Sequence, residues 1–219
     1  MSGKKKIAVV LSGCGVYDGA EIHESVLTLL AISRRGAEAV CFAPDIKQHH
    51  VINHLTGQEA GESRNVLVES ARIARGHISD LAKFDASKVD ALVFPGGFGT
   101  AKNLCSFAFD GPAATVDPSV ERAVKAMVAA GKPVAALCIA PALLAKILGD
   151  VELTIGQDEG TAAAIEKLGA KHIPTKQTEV VVDKARKIVT TPCYMLESSV
   201  AQIADGADNA VKAVLELIG

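Results

Sequence analysis

The sequence predicts a doubly wound α/β fold, a mostly parallel sheet with helices on both faces. Two observations carry this reading. Short apolar and β-branched runs alternate with amphipathic stretches along nearly the whole chain, and the runs are separated by turns rich in glycine and proline. Strands separated by helices need crossover connections, which pair the strands in parallel and lay the helices over the sheet.

Taken in order, residues 7–11 form a buried strand. Residues 21–34 form an amphipathic helix through Ile22, Val26, Leu29 and Leu30, and Gly36 is its C-cap. Residues 39–42 give a second strand closed by Pro44. Residues 91–94 give another, followed by the turn Pro95-Gly96-Gly97. Residues 120–130 are helical and stop at Gly131-Lys132-Pro133, ahead of a further buried strand. Residues 179–191 hold two β-branched runs around Asp183-Lys184-Ala185-Arg186, a hairpin that makes the sheet mixed near its edge. Residues 198–218 are a long closing helix. Residues 45–63, with His49, His50 and His54, break the rhythm and read as a solvated inserted loop or small hairpin. Adjacent His49 and His50 cannot both face one ion from a regular element, so the three histidines are not read as a metal site. The chain has no internal repeat, low-complexity tract or linker, and residues 1–219 are taken as a single domain.

Composition narrows the function classes. A formal net charge of −2 leaves no footprint for nucleic acid or an anionic membrane. No apolar stretch has the length of a membrane span, and no signal-peptide pattern precedes the first strand. Five cysteines are an odd number without C-x-x-C spacing, which argues for reduced thiols and against a disulfide framework or a zinc site. The expectation is a soluble, cytoplasmic chain that needs no cofactor.

The chemistry concentrates in the run from Lys132 to Leu144. A buried strand ends on Cys138, a helical pattern begins at once, and small Ala136 and Ala140 stand two residues away on either side. This is the layout of a nucleophile elbow with alanine in the glycine positions. A thiol there would feel the unpaired N–H groups of a helix N-terminus, which favour thiolate. A buried core cysteine shows the same local pattern, and the segment alone does not separate the two.

In open α/β sheets ligands gather beyond the carboxyl ends of the strands. Two glycine-bearing loops arrive there beside the elbow: 12–19, after the first strand, and 95–99. Gly13, Gly15 and Gly19 lack dinucleotide spacing, and Tyr17 and Asp18 stand where a pyrophosphate would need room and positive potential, so nucleotide binding is poorly supported. Glu24, in the first turns of the following helix, could reach a thiol on the elbow, although an acid there also suits the helix dipole. His23 turns to another face and reads as a surface residue. The only histidine after Cys138 is His172, in an edge strand and without an acidic partner, so acyl transfer by a Cys-His pair is poorly supported.

Together these residues resemble the class I glutamine amidotransferase-like superfamily in its PfpI branch and, within it, the ElbB family of isoprenoid-biosynthesis proteins with an amidotransferase-like domain. The matching motifs are residues 11–19, Glu21-Ile22-His23-Glu24, Phe42-Ala43-Pro44-Asp45, residues 51–57, residues 95–99, Cys138-Ile139-Ala140-Pro141 and Thr190-Thr191-Pro192. The resemblance implies a flavodoxin-like three-layer α/β/α sandwich and a homodimer. It also implies Cys138 as nucleophile, Glu24 as its carboxylic partner, and substrate binding around Gly96, Gly97 and Ile139, with backbone N–H groups forming an oxyanion site. The family's histidine is missing here, which speaks against amidase, protease or glutaminase activity. The implied activity is a cofactor-independent glyoxalase acting on a small aldehyde, glyoxal to glycolate, through a thiohemiacetal on Cys138. The competing readings are a redox-sensing or partner-binding protein that uses the same thiol, with Cys14 or Cys193 as a resolving thiol, and an amidotransferase-like subunit without glutaminase activity.

Overall fold

The computed structural model describes residues 3–219. A seven-stranded sheet forms the middle layer, built from β1 (Lys6–Val10), β2 (Glu38–Ala43), β3 (Ile78–Asp80), β4 (Ala91–Phe94), β5 (Val134–Leu137), β8 (Val181–Asp183) and β9 (Ile188–Thr191). Their order is β3-β2-β1-β4-β5-β9-β8. Every pairing is parallel except that of β8 with β9 at the edge, where Val182 faces Val189. The predicted hairpin and mixed edge are therefore present. A separate two-stranded ladder joins β6 (Glu152–Leu153) and β7 (Lys171–His172), so His172 lies in this ladder and not in the seven-stranded sheet.

Side-chain alternation along the strands fills two cores. Ala8, Val10, Leu92, Phe94, Val134 and Ala136 face α4 (Pro118–Ala129) and α5 (Pro141–Leu148). Ile7, Val9, Ala91, Val93, Ala135 and Leu137 face α1 (Ile22–Arg34) and α7 (Val200–Ile218). This gives the flavodoxin-like three-layer sandwich expected from the sequence. Strands covered on both faces explain why their sequences read as continuous apolar runs. The helices start where their caps dictate. Asp117 accepts from Ser119 and Val120 ahead of Pro118, and a capping box of Ser199 with Gln202 opens α7. α7 buries Ile203, Gly206, Ala207, Ala210, Val211 and Val214 at helical spacing and packs along α1.

The strand expected at His172 is present as β7, whereas helix α2 (Val66–Ile73), the four-residue α3 (Phe107–Asp110), α6 (Glu159–Glu166) and the short strands β3 and β6 were not legible as elements. They are brief, and α6 is a run of alanines flanked by acids.

Strand order reverses direction between β1 and β4, and in such sheets the carboxyl ends of the strands at that point open a crevice. The loops after β1, β4 and β5 meet there. The loop after β1 is laced to the one after β4: Phe98 N–H donates to Val16 at 2.8 Å, Gly99 N–H to Gly19 at 2.8 Å and Glu21 N–H to Gly96 at 2.9 Å. Asn103, in the π-helical turn Thr100–Leu104, donates to the carbonyls of Ser12 and Asp18, both at 2.9 Å, while its Oδ1 accepts from His49 N–H.

The inserted segment is less solvated than expected. It folds back over the first loop: buried Asp18 accepts from Ile52 N–H at 2.7 Å, and His54 Nε2 accepts from Tyr17 N–H at 3.2 Å. His54 packs on Tyr17 with ring centroids 4.9 Å apart, whereas His49 packs on Phe109 at 4.3 Å. The three histidines are thus divided between two aromatic contacts.

Asn103→Ala removes both donors to the first loop and leaves buried carbonyls unpaired. We expect it to lower the unfolding free energy by about 1–3 kcal/mol in urea titration, with faster amide exchange confined to residues 12–19.

Candidate active site

Cys138 stands at the end of β5 with φ of +60°, a left-handed conformation that non-glycine residues rarely adopt. Its N–H donates to Thr191 of β9 at 3.0 Å, and Ala140 N–H closes a turn onto Leu137 at 2.9 Å. Strand pairing on one side and an immediate turn on the other fix the elbow that the sequence predicts. Gly96 makes room for it: a Cβ there would collide with Cys138 Cβ and stand 2.6 Å from Glu24 Oε2.

Glu24 is fully buried behind the thiol. Its Oε2 accepts from Gly96 N–H at 2.9 Å and its Oε1 from Tyr194 N–H at 3.2 Å, and the carboxyl is hydrogen-bonded to the Cys138 side chain. Burial pushes its pKa up to about 7, with neighbouring Glu21 adding to the rise and the two backbone donors opposing it. At neutral pH such a carboxyl is close to half-protonated.

The Cys138 thiol departs from the expectation that a helix N-terminus would favour thiolate. Burial, then the charge of Glu24, push its pKa well above the ordinary value, against hydrogen bonds from Gly97 and Ile139 N–H. The reason is local: α5 begins only at Pro141, a residue without an N–H, so the helix offers little to set against desolvation. The resting group is a thiol facing a carboxyl.

A cavity of about 370 Å³ opens on Cys138 and is lined by Gly97, Ile139, Val16, Phe98, Glu21, Asp158, Thr161, Tyr194 and Met195. Of the residues named from sequence, Cys138, Gly97 and Ile139 line it directly. Gly96 lies behind, its N–H committed to Glu24. Cys193, with φ of +42° and 3% exposed, lies in the electrostatic field of Glu24 and Cys138. Cys14 lies instead among Glu69, Arg72 and Asp18.

Asp158, Thr161, Tyr194 and Met195 were missed. Tyr194 follows the Thr190-Thr191-Pro192 motif, which pointed to its neighbourhood. Its hydroxyl is 2.8 Å from His23 Nδ1, so His23 braces the cavity wall from outside. Asp158 carries a signal only for capping, and its Oδ1 accepts from Thr161 N–H at 2.7 Å.

Against known proteins, the chain is 53% identical over 224 residues to the human "Glutamine amidotransferase-like class 1 domain-containing protein 3, mitochondrial", covering 98% of this chain and 84% of that protein. It is 50% identical to the rat "ES1 protein homolog, mitochondrial", covering 99% and 85%. Among solved structures, an isoprenoid biosynthesis protein with an amidotransferase-like domain from Ehrlichia chaffeensis superposes with a TM-score of 0.93 at 36% identity, covering 98% of this chain and all of that one. Glyoxalase III from Candida albicans shares the fold with a TM-score of 0.61 at 14% identity, covering 97% of each chain. No family model matches the chain. These relatives correct the cytoplasmic expectation, since both the human and the rat protein are named as mitochondrial. Unpaired thiols report a reducing compartment, and that criterion does not distinguish cytosol from mitochondrial matrix.

Glu24 also predicts a pH signature. Its folded-state pKa of about 7 lies above the ordinary 4.5, so between those values the native protein holds a proton that the unfolded chain has lost. This stabilisation is complete below the ordinary pKa and is lost as pH rises through the folded one, in total roughly 3 kcal/mol. Denaturant titrations across that range should show wild-type stability falling with pH and Glu24→Gln nearly flat.

Proposed function

We propose that this chain, which belongs to the family of ES1 and glutamine amidotransferase-like class 1 domain proteins, is a cofactor-independent glyoxalase of the ElbB kind, converting glyoxal to glycolate. The observation that carries this reading is the Cys138–Glu24 pair. A thiol and a carboxyl with pKa about 7 are held in contact by Gly96 and Tyr194 N–H, and two further backbone N–H groups, of Gly97 and Ile139, point at the sulfur.

The steps follow from that pair. As Cys138 Sγ adds to the aldehyde carbon, Glu24 takes the thiol proton and passes it to the carbonyl oxygen, giving a hemithioacetal. The Gly97 and Ile139 N–H groups stabilise the negative charge that develops on that oxygen. Glu24 then removes the hydrogen on the thiol-bearing carbon. The resulting enediol takes a proton back on the neighbouring carbon, so one carbon is oxidised and the other reduced, with no external redox partner. Water cleaves the thioester, releasing glycolate and the thiol. One proton carrier serves every step, which suits a cavity in which no histidine is a lining residue.

A homodimer is part of the same proposal. Ile22, Val26 and Leu30, exposed along one face of α1, are the apolar surface it would cover.

Purified wild-type protein should form glycolate from glyoxal without added metal or glutathione. Cys138→Ala should lose at least 10²-fold in kcat/KM, and Glu24→Gln about 10²–10⁴-fold, the usual contribution of a positioned acid–base. Wild-type rates retained by Cys138→Ala would remove the proposal. A wild-type protein without turnover, in which peroxide selectively oxidises Cys138 and changes a partner interaction, would favour the sensor reading.

A further inference from the structure

The size of the cavity is out of proportion to glyoxal. About 370 Å³ falls in the range of pockets that enclose a whole small metabolite, and glyoxal is the smallest 2-oxoaldehyde. The walls are also of two kinds. Val16, Phe98, Ile139 and Met195 form an apolar side, while Glu21, Asp158, Thr161 and Tyr194 supply polar groups.

Every titratable side chain on those walls is an acid. Lys102 lies over the Phe98 ring, 5.2 Å from its centroid, but donates to the Tyr17 carbonyl and lines a neighbouring cavity instead. His23 bonds to the Tyr194 hydroxyl and packs on its ring, and is not a lining residue. The N-terminus of α6 would ordinarily attract an anion, yet Asp158 already occupies it through its bond from Thr161 N–H. At the start of α1, Glu21 does the same, its Oε2 accepting from Glu24 N–H at 2.7 Å. Both helix ends at the cavity therefore carry their own carboxylates.

We propose that the Cys138 cavity takes carbonyl compounds larger than glyoxal that carry an apolar stem and no negative charge. Phe98, Ile139 and Met195 seat the stem. Glu21 and Asp158 set the charge preference, disfavouring carboxylate- and phosphate-bearing compounds and favouring those with a neutral or ammonium end. This rests on the carbonyl chemistry proposed for Cys138 and adds the substrate class to it. Two carboxylates acting across a cavity of this size, at the effective dielectric of a protein surface, suffice for discrimination of about tenfold.

Phenylglyoxal and 4-carboxyphenylglyoxal form a matched pair that differs by one carboxylate. The wild-type protein should turn over phenylglyoxal with a higher kcat/KM than glyoxal, and the carboxylated compound about tenfold less well than its parent. Asp158→Asn, which keeps a capping side chain, should narrow that gap. Equal rates for the pair, or a gap untouched by the substitution, would overturn the charge assignment. A preference for glyoxal over phenylglyoxal would overturn the size assignment.

A second measurement does not depend on turnover. Cationic, neutral and anionic methanethiosulfonates should label Cys138 in that order of rate, read on the Cys138 peptide and normalised to glutathione. If no aldehyde is turned over but this order holds, the carbonyl chemistry fails and the charge selection stands. If aldehydes are turned over but the three reagents label equally, the charge selection alone fails.

Discussion

Glu24 is a carboxyl group with no access to water, and a charge in that position has to be met by backbone donors, by a proton, or by both. The fold supplies the donors from two separate places: Gly96 after β4 and Tyr194 after β9, with the Cys138 thiol arriving from β5 between them. These segments converge only because β4, β5 and β9 are consecutive neighbours in the sheet. The parallel sheet is thus more than a scaffold under the site, since its strand order decides which backbone groups surround the buried acid.

Convergence this tight has a steric consequence. Gly96 must lack a Cβ, and Cys138 must adopt a left-handed conformation for its sulfur to face Glu24. Cys193, on the neighbouring turn, is held the same way. Conformations of this kind cost of order 1–3 kcal/mol each, and they persist because pairing of Cys138 with Thr191 and the turn onto Leu137 leave little alternative. The strain is concentrated at the candidate site, and the network of loop hydrogen bonds around Asn103 and Asp18 holds the surroundings fixed.

What could be read in advance follows the range of the interactions. Strands buried on both faces announce themselves as apolar runs, and Cys138 announces its elbow through the abrupt change from strand to helix pattern, so the layers and the elbow cysteine were legible. Glu24 was legible because it follows a glycine loop by a few residues on a predicted helix. Contacts closed over long sequence separations were not. Nothing local in Asp158 says that it lines the Cys138 cavity, and His54, which reads as part of a solvated loop, clasps Tyr17. The protonation of the thiol was misread for a related reason. A helix dipole can be inferred from sequence, whereas desolvation depends on what the rest of the chain places overhead, and here desolvation dominates.

That outcome changes how the missing histidine should be understood. A cysteine kept as a ready thiolate needs a stable cation beside it, and in hydrolases of this general layout histidine fills that role. Here burial raises the proton affinity of both partners, so the proton remains with the pair and Glu24 sits near the pH at which it can accept or release it. A carboxyl tuned in this way can remove a proton in one step and return it in the next, which a carboxylate at its ordinary pKa would do poorly. Hydrolysis of an amide asks for protonation of a departing amine, and an imidazolium suits that task. Moving a hydrogen between adjacent carbons asks for one group that can be both base and acid in a dry site. On the chemistry proposed for it, the buried Cys138–Glu24 pair suits the second task.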